Sequence, residues 1–233
     1  MSTEKKLGAR LQSAFAYLTA GGTVADIGTD HAYLPIEIIK KGLSRRAIAC
    51  DINRGPIEAA MRNIEAAGLS DRIDTVQTDG LHGVETYNPT DILIFGMGGE
   101  LIVKILSEAP WVQNDGIGLI LQPMSHAEIL RRWLSENGFS ILGETLTYEE
   151  QYYQTIYARF CDEPYTLREE ELFFGREILG SGSPLLEGYL TARAKTLKNV
   201  IAGKKKGNAD TALEERLLGE IEARLAKKRE DRA

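Results

Sequence analysis

Four short stretches gather the residue types that can do chemistry: "ADIGTDH" (25–31), "CDIN" (50–53), "TDGL" (78–81) and "FGMGG" (95–99). Each closes an apolar run, which predicts a loop at the end of a strand. The first offers Asp26, Gly28, Thr29, Asp30 and His31, and the second Asp51, Ile52 and Asn53. The third offers Asp79, Gly80 and Leu81, and the fourth Gly96, Met97, Gly98 and Gly99. Asp51 stands 23 residues after Gly28 (51 − 28), where a carboxylate accepts hydrogen bonds from ribose hydroxyls and repels a 2′-phosphate. Singly, each has a plain structural alternative: Asp51 and Asp79 as helix caps or solvated turns, "GMGG" as a tight strand-to-helix turn. Together, at successive strand ends, they point to a ligand.

The first loop separates two ligand classes. A dinucleotide site wants G-x-G-x-x-G, but Gly28 is followed by Asp30 where the second glycine would stand, and Ala32 brings no third. A pyrophosphate needs bare N–H groups at a helix N-terminus, and two flanking carboxylates, Asp26 and Asp30, oppose it. The same carboxylates suit a ligand with a cationic end, an ammonium and a sulfonium. S-adenosylmethionine carries both, with a ribose for Asp51 and an adenine for Asp79. Gly96, at the end of the fourth strand, completes this candidate cofactor set.

The elements that must position these loops follow from periodicity. Leu7, Leu11, Phe15 and Leu18 predict an amphipathic helix over 4–20, stopped by Gly21 and Gly22. Strands at 23–28, 45–52, 72–79, 90–99 and 116–123 are interleaved with helices at 33–42, 55–68, 100–109 and 126–138. That alternation implies a parallel sheet covered on both faces. "FSILGETLTYEEQ" and "YYQTIYARF" then follow with no helix between them, so they must pair antiparallel. The expected fold is α/β: a Rossmann-like sandwich with a mostly parallel seven-stranded sheet and an antiparallel closing hairpin, an ending typical of methyltransferases. From Pro184 onward, Leu186, Leu190, Ala194, Leu197 and Ile201 form one helical stripe, and Leu213, Leu217, Ile221 and Leu225 another. They predict an α-helical antiparallel coiled-coil hairpin. The expected division is a cofactor-binding catalytic domain over 1–162 and a helical domain over 163–233.

Composition narrows the class. No apolar run approaches the roughly 18 residues of a membrane span, and the N-terminus lacks the apolar core of a secretory signal. Cys50 and Cys161 make no metal spacing and read as buried free thiols, consistent with a cytoplasmic protein. His31, His82 and His126 have no metal spacing either, so no metal is expected. The net charge of −6 is uneven: from Pro184 on there are 12 Lys and Arg against 8 Asp and Glu, a net of +4 that leaves −10 for the rest. An acidic body with a basic tail calls for an anionic partner met in one orientation.

"ADIGTDHAYLP", "ACDINRGPIEAA", "DGL" and "IFGMGGELI", in order and correctly spaced over residues 7 to about 160, resemble the bacterial tRNA (adenine(22)-N1)-methyltransferase family. The basic C-terminal hairpin is similar to that family's appended coiled coil. One departure is Thr78 before Asp79, where glycine is expected. The resemblance implies methyl transfer from S-adenosylmethionine to N1 of adenine 22 in tRNA, by a class I enzyme acting as a monomer or weak dimer. It makes Gly96–Gly99 the target-base loop, with Met97 packing on the base and Tyr33 as a stacking partner. RNA-facing cations would be Lys5, Lys6 and Arg10 on the first helix, Arg54 at the rim, and Lys204, Lys205 and Lys206 at the hairpin tip. An NAD-dependent oxidoreductase, a non-catalytic RNA-binding module, and a methyltransferase for another RNA or a small molecule stay open at this point.

Overall fold

The structure is a computed structural model and describes residues 7–230. It divides into two compact units, Met1–Thr166 and Leu167–Ala233. The first unit is built on a seven-stranded sheet in the order β3-β2-β1-β4-β5-β7-β6. The strands are β1 (Thr23–Ile27), β2 (Arg46–Asp51), β3 (Ile73–Gln77), β4 (Asp91–Gly98), β5 (Gly118–Ser125), β6 (Phe139–Tyr148) and β7 (Tyr152–Phe160). The first five are parallel, and β7 runs antiparallel to both β5 and β6. The helices between them are α2 (Tyr33–Lys40), α3 (Arg54–Ala66), α4 (Gly99–Ser107) and α5 (Ala127–Glu136).

The central strands are apolar on both faces because both are covered. Val24, Ala25, Ile48, Ile92, Leu93, Ile94, Leu119, Ile120 and Leu121 are all buried. At about 1.5–3 kcal/mol for each large side chain, this double-sided core is what holds the strand order. The chain winds outward through β1, β2 and β3, then returns to β4 on the other side of β1. That reversal opens a crevice beyond the carboxyl ends of β1 and β4.

The first helix is shorter than its periodicity predicts. Only α1 (Ala9–Gln12) is α-helical, and Ser13–Tyr17 tightens into a 3-10 helix. Buried Ser13 is the local reason: its hydroxyl bonds the Arg10 carbonyl (2.6 Å) and meets Thr155 Oγ1 on β7 (2.6 Å), so the segment is tied to the sheet. The apolar stripe keeps its role, with Leu7, Leu11, Phe15 and Leu18 packed on the core. Cys161 is a second correction. It lies one residue past β7 and is exposed, while Cys50 is buried and its thiol pushed up to about 12, mainly by burial.

The second unit begins with two short helices that the periodicity did not reveal, α6 (Glu169–Phe174) and α7 (Arg176–Gly180). Glu171 bridges them: it accepts the Arg168 N–H (2.9 Å) and pairs with Arg176 (3.1 Å). Burial alone would raise its pKa, but these bonds hold it down at about 2. The hairpin follows as α8 (Leu186–Lys206) and α9 (Ala212–Glu230). Pairs Lys198–Glu222, Lys204–Glu214 and Lys205–Glu215, at 2.7–2.8 Å, fix its antiparallel register. Leu190, Ala194, Leu197, Ile201, Leu217 and Ile221 of the expected stripes are buried.

Candidate active site

The switch-point crevice is a cavity of about 400 Å³. Asp26, Gly28 and Asp30 come to it from β1 and its loop, Tyr33 and Leu34 from α2, and Phe95 and Gly96 from β4. Leu7, Gly8, Arg10 and Leu11 come from the N-terminal segment.

The loop after β1 is built for close approach. Gly28 has φ +76°, and a Cβ there would meet Met97 Cε at 2.2 Å, so the "GMGG" side chain already lies over this turn. The N–H groups of Gly28 and Thr29 donate to the Cys50 carbonyl at 2.9 and 2.8 Å. These two donors of the turn are therefore spent on the neighbouring strand. His31 and Ala32 follow at φ 61° and 56°, a strained pair for residues with a Cβ, held by Asn63 Nδ2 donating to the His31 carbonyl (2.9 Å). His31 Nε2 lies 3.1 Å from Asp30 and its ring stacks on Tyr33 with centroids 5.5 Å apart.

Asp26 lies within β1 rather than past its end, and only 6% of it is exposed. Burial raises its pKa to about 6; the Thr29 hydroxyl opposes the rise and the charge of Asp51 adds to it. A buried carboxylate with this poise wants a cation. Asp51 sits half-buried at the end of β2, where one oxygen accepts from the Asn53 N–H (2.7 Å), and it is not among the residues that line the cavity. Ile52 beside it is 55% exposed, an apolar surface at the mouth of a polar loop. Asp79 is exposed, whereas the Leu81 side chain is buried in the core and leaves only its backbone to the loop. Thr78, the departure from the expected glycine, is used structurally: its hydroxyl donates to the His82 carbonyl (2.7 Å).

The end of β4 is irregular. The register with β5 slips between Phe95 and Met97, which leaves Gly96 as an extra residue at φ +78°. Its N–H is taken by the side chain of Gln122 (3.2 Å). Gln122 also accepts from Arg10 Nη1 (2.8 Å). Neither the role of Gln122 nor the place of Arg10 is evident from spacing. The available signal was "GLILQP", one polar residue in an otherwise apolar strand. Arg10, expected to face RNA, instead lines the crevice with its guanidinium over the Tyr153 ring (5.5 Å).

Tyr33, the other expected RNA contact in the crevice lining, stands there with Arg10. Lys5 and Lys6 fall outside the described residues. Arg54 is exposed and pairs with Glu58 (2.7 Å). Lys204 and Lys205 are engaged by Glu214 and Glu215, and Lys206 has no ion pair among the described residues. Among the described residues, no group of three or more His, Cys, Asp or Glu could hold a metal ion, and no helix is long and apolar enough to cross a membrane.

A model of the TrmK family, tRNA (adenine(22)-N(1))-methyltransferase, matches residues 24–225. The chain belongs to this family. It is 37% identical over 160 residues to the tRNA (adenine(22)-N(1))-methyltransferase of Bacillus subtilis, covering 68% of this chain and 67% of that one. The structure of M. capricolum TrmK with S-adenosyl-homocysteine is similar at a TM-score of 0.74 and 28% identity, covering 96% of each chain. A Streptococcus pneumoniae protein in complex with S-adenosyl-L-methionine gives a TM-score of 0.83 at 29% identity, covering 94% of this chain and all of the other. As a TrmK enzyme, the chain uses S-adenosylmethionine to methylate N1 of adenine 22 in tRNA. The oxidoreductase and non-catalytic alternatives are thereby set aside. The crevice fits the TrmK cofactor on its own chemistry. Acidic and basic side chains face one cavity, and the N–H groups of Gly28, Thr29 and Gly96 are already bonded.

Proposed function

We propose that the crevice holds the methionine end of S-adenosylmethionine, its ammonium at Asp26 and Asp30 and its carboxylate at Arg10. The observation that carries this reading is the presence of two carboxylates and one guanidinium around a single cavity, the complement of an amino-acid zwitterion. Gly28, Thr29 and His31 shape the turn. Asp51, with Ile52 and Asn53, takes the ribose. Asp79 and the backbone of Gly80 and Leu81 take the adenine. When bound, the cofactor supplies a methyl group made electrophilic by a sulfonium.

The residues of the chain then orient and exclude water. Adenine N1 keeps its lone pair at neutral pH, so attack needs no general base, and catalysis rests on alignment and desolvation. Gly96, Met97, Gly98 and Gly99 form the target-base loop. Gly96 and Gly98 admit a ring, and Met97, already against Gly28, closes the contact between base and donor. N1 lies on the Watson–Crick edge, so the base is taken out of its stack before reaction, with Tyr33 as a stacking surface. Arg54 and Lys206, together with Lys204 and Lys205 once released from their glutamates, supply phosphate contacts. The chain works in the cytoplasm as a monomer or weak dimer. Sedimentation velocity over about a hundredfold range of concentration checks this, a tight dimer being the contrary result.

Two ligands test the crevice. S-adenosylhomocysteine carries the amino-acid end and 5′-methylthioadenosine lacks it, while both carry ribose and adenine. Arg10→Ala should weaken S-adenosylhomocysteine by roughly 1–3 kcal/mol and leave methylthioadenosine unchanged. Asp51→Ala should weaken both by roughly the same 1–3 kcal/mol. Equal losses for Arg10→Ala on the two ligands would refute the assignment.

A further inference from the structure

We infer that Gln122 is a positioning residue that couples the two halves of the active site, fixing the target-base loop and the carboxylate-binding arginine through one amide. The inference rests on the reading of Arg10 given above, but its Gly96 half does not. Gln122 is fully buried, at the carboxyl end of β5, and both ends of its amide are used. Oε1 accepts from Arg10 Nη1 at 2.8 Å and from the Gly96 N–H at 3.2 Å. Nε2 donates to the Pro123 carbonyl at 3.0 Å and lies 3.6 Å from Met124 Sδ. The orientation of the amide is forced, because a guanidinium and a backbone N–H are both donors and only an oxygen can face them.

Each bond has a consequence. The extra residue in β4 leaves the Gly96 N–H outside the ladder with β5. Gly96 itself is exposed, and the bond from its N–H to the buried Gln122 oxygen pins the turn that starts the target-base loop. Arg10 comes from a different part of the chain, 112 residues away, and its aim into the crevice depends on the same oxygen. The guanidinium has further N–H groups for a ligand while Gln122 holds one of them. A hydrophobic residue at position 122 would fill the space and satisfy neither donor.

Gln122→Met keeps the volume and removes the acceptor. Titration calorimetry with S-adenosylhomocysteine and methylthioadenosine reads the Arg10 half. Turnover on unmodified tRNA at saturating cofactor reads the Gly96 half. The expected result is about tenfold weaker S-adenosylhomocysteine binding, methylthioadenosine within about twofold of the parent, and kcat about 30-fold lower. Gln122→Glu restores an acceptor for both donors, and S-adenosylhomocysteine binding should return to within about threefold of the parent. In an Arg10→Ala background, Gln122→Met should leave S-adenosylhomocysteine binding unchanged and still lower kcat. If Arg10→Ala alone spares both ligands, the reading of Arg10 fails, and the Gly96 half is judged on kcat. If Gln122→Met weakens both ligands alike, spares kcat, or is not improved on by Gln122→Glu, the residue is only a piece of core and the proposal is wrong.

Discussion

Lowering the pH from about 7 to about 5 should weaken S-adenosylhomocysteine binding roughly tenfold, and Asp26→Asn should flatten that dependence. The cause is the Asp26 carboxyl, raised by burial from an ordinary 3.8 to about 6. At neutral pH it is ionised and complements an ammonium. Below its pKa it is neutral, and each further pH unit costs about tenfold in affinity while the ligand's amino group stays protonated. The sign for stability is opposite. A carboxyl whose pKa is raised by folding holds its proton more tightly in the native state, so stability falls as pH rises between 3.8 and about 6. A shift of about two units corresponds to on the order of 3 kcal/mol. Asp26→Asn should therefore bind the cofactor poorly and yet, without ligand, be more stable at neutral pH by up to about 3 kcal/mol. Urea unfolding of the two proteins, with and without S-adenosylhomocysteine, measures both effects. A substitution that lowers the stability of the free protein would contradict the assigned burial cost.

Arg131→Met should destabilise the first unit by about 3–5 kcal/mol, a fall of roughly 10 °C in melting temperature. Arg131 on α5 and Glu144 on β6 are both fully buried and joined at 2.7 Å, and Arg131 Nη2 also donates to Gln154 on β7. Removing the guanidinium leaves a buried carboxylate with its main partner gone, which costs far more than an exposed pair would. The double substitution Arg131→Met with Glu144→Leu should recover most of the loss, because an apolar pair of similar volume carries no desolvation penalty. Thermal unfolding followed by circular dichroism decides it: a double variant no better than the single would mean that packing, not charge, is what Arg131 supplies. The pair matters for function because it locks α5 onto the closing hairpin, the same hairpin that supplies Tyr153 beneath Arg10.

The alternation of apolar runs with amphipathic ones was enough to fix a parallel sheet ending in an antiparallel hairpin, since a buried strand and a half-buried helix carry different periods. It also singled out Asp26, Gly28, Asp30 and Gly96, which line one cavity, because in a parallel sheet every strand delivers its end to the same side. Cationic-ligand preference was legible as well, in carboxylates standing where a phosphate site has glycines. What the chain order could not disclose is which distant groups share one cavity or one hydrogen bond. Arg10 reads as a surface cation until the fold sets it on Gln122, and Gln122 reads as an oddity in a strand until β4 slips beside it. Lys204 and Lys205 read as a basic tip until the register of the helical hairpin brings glutamates to them. Local pattern is written in neighbours along the chain, and pairing is a property of distances that only the packed sheet and helices create.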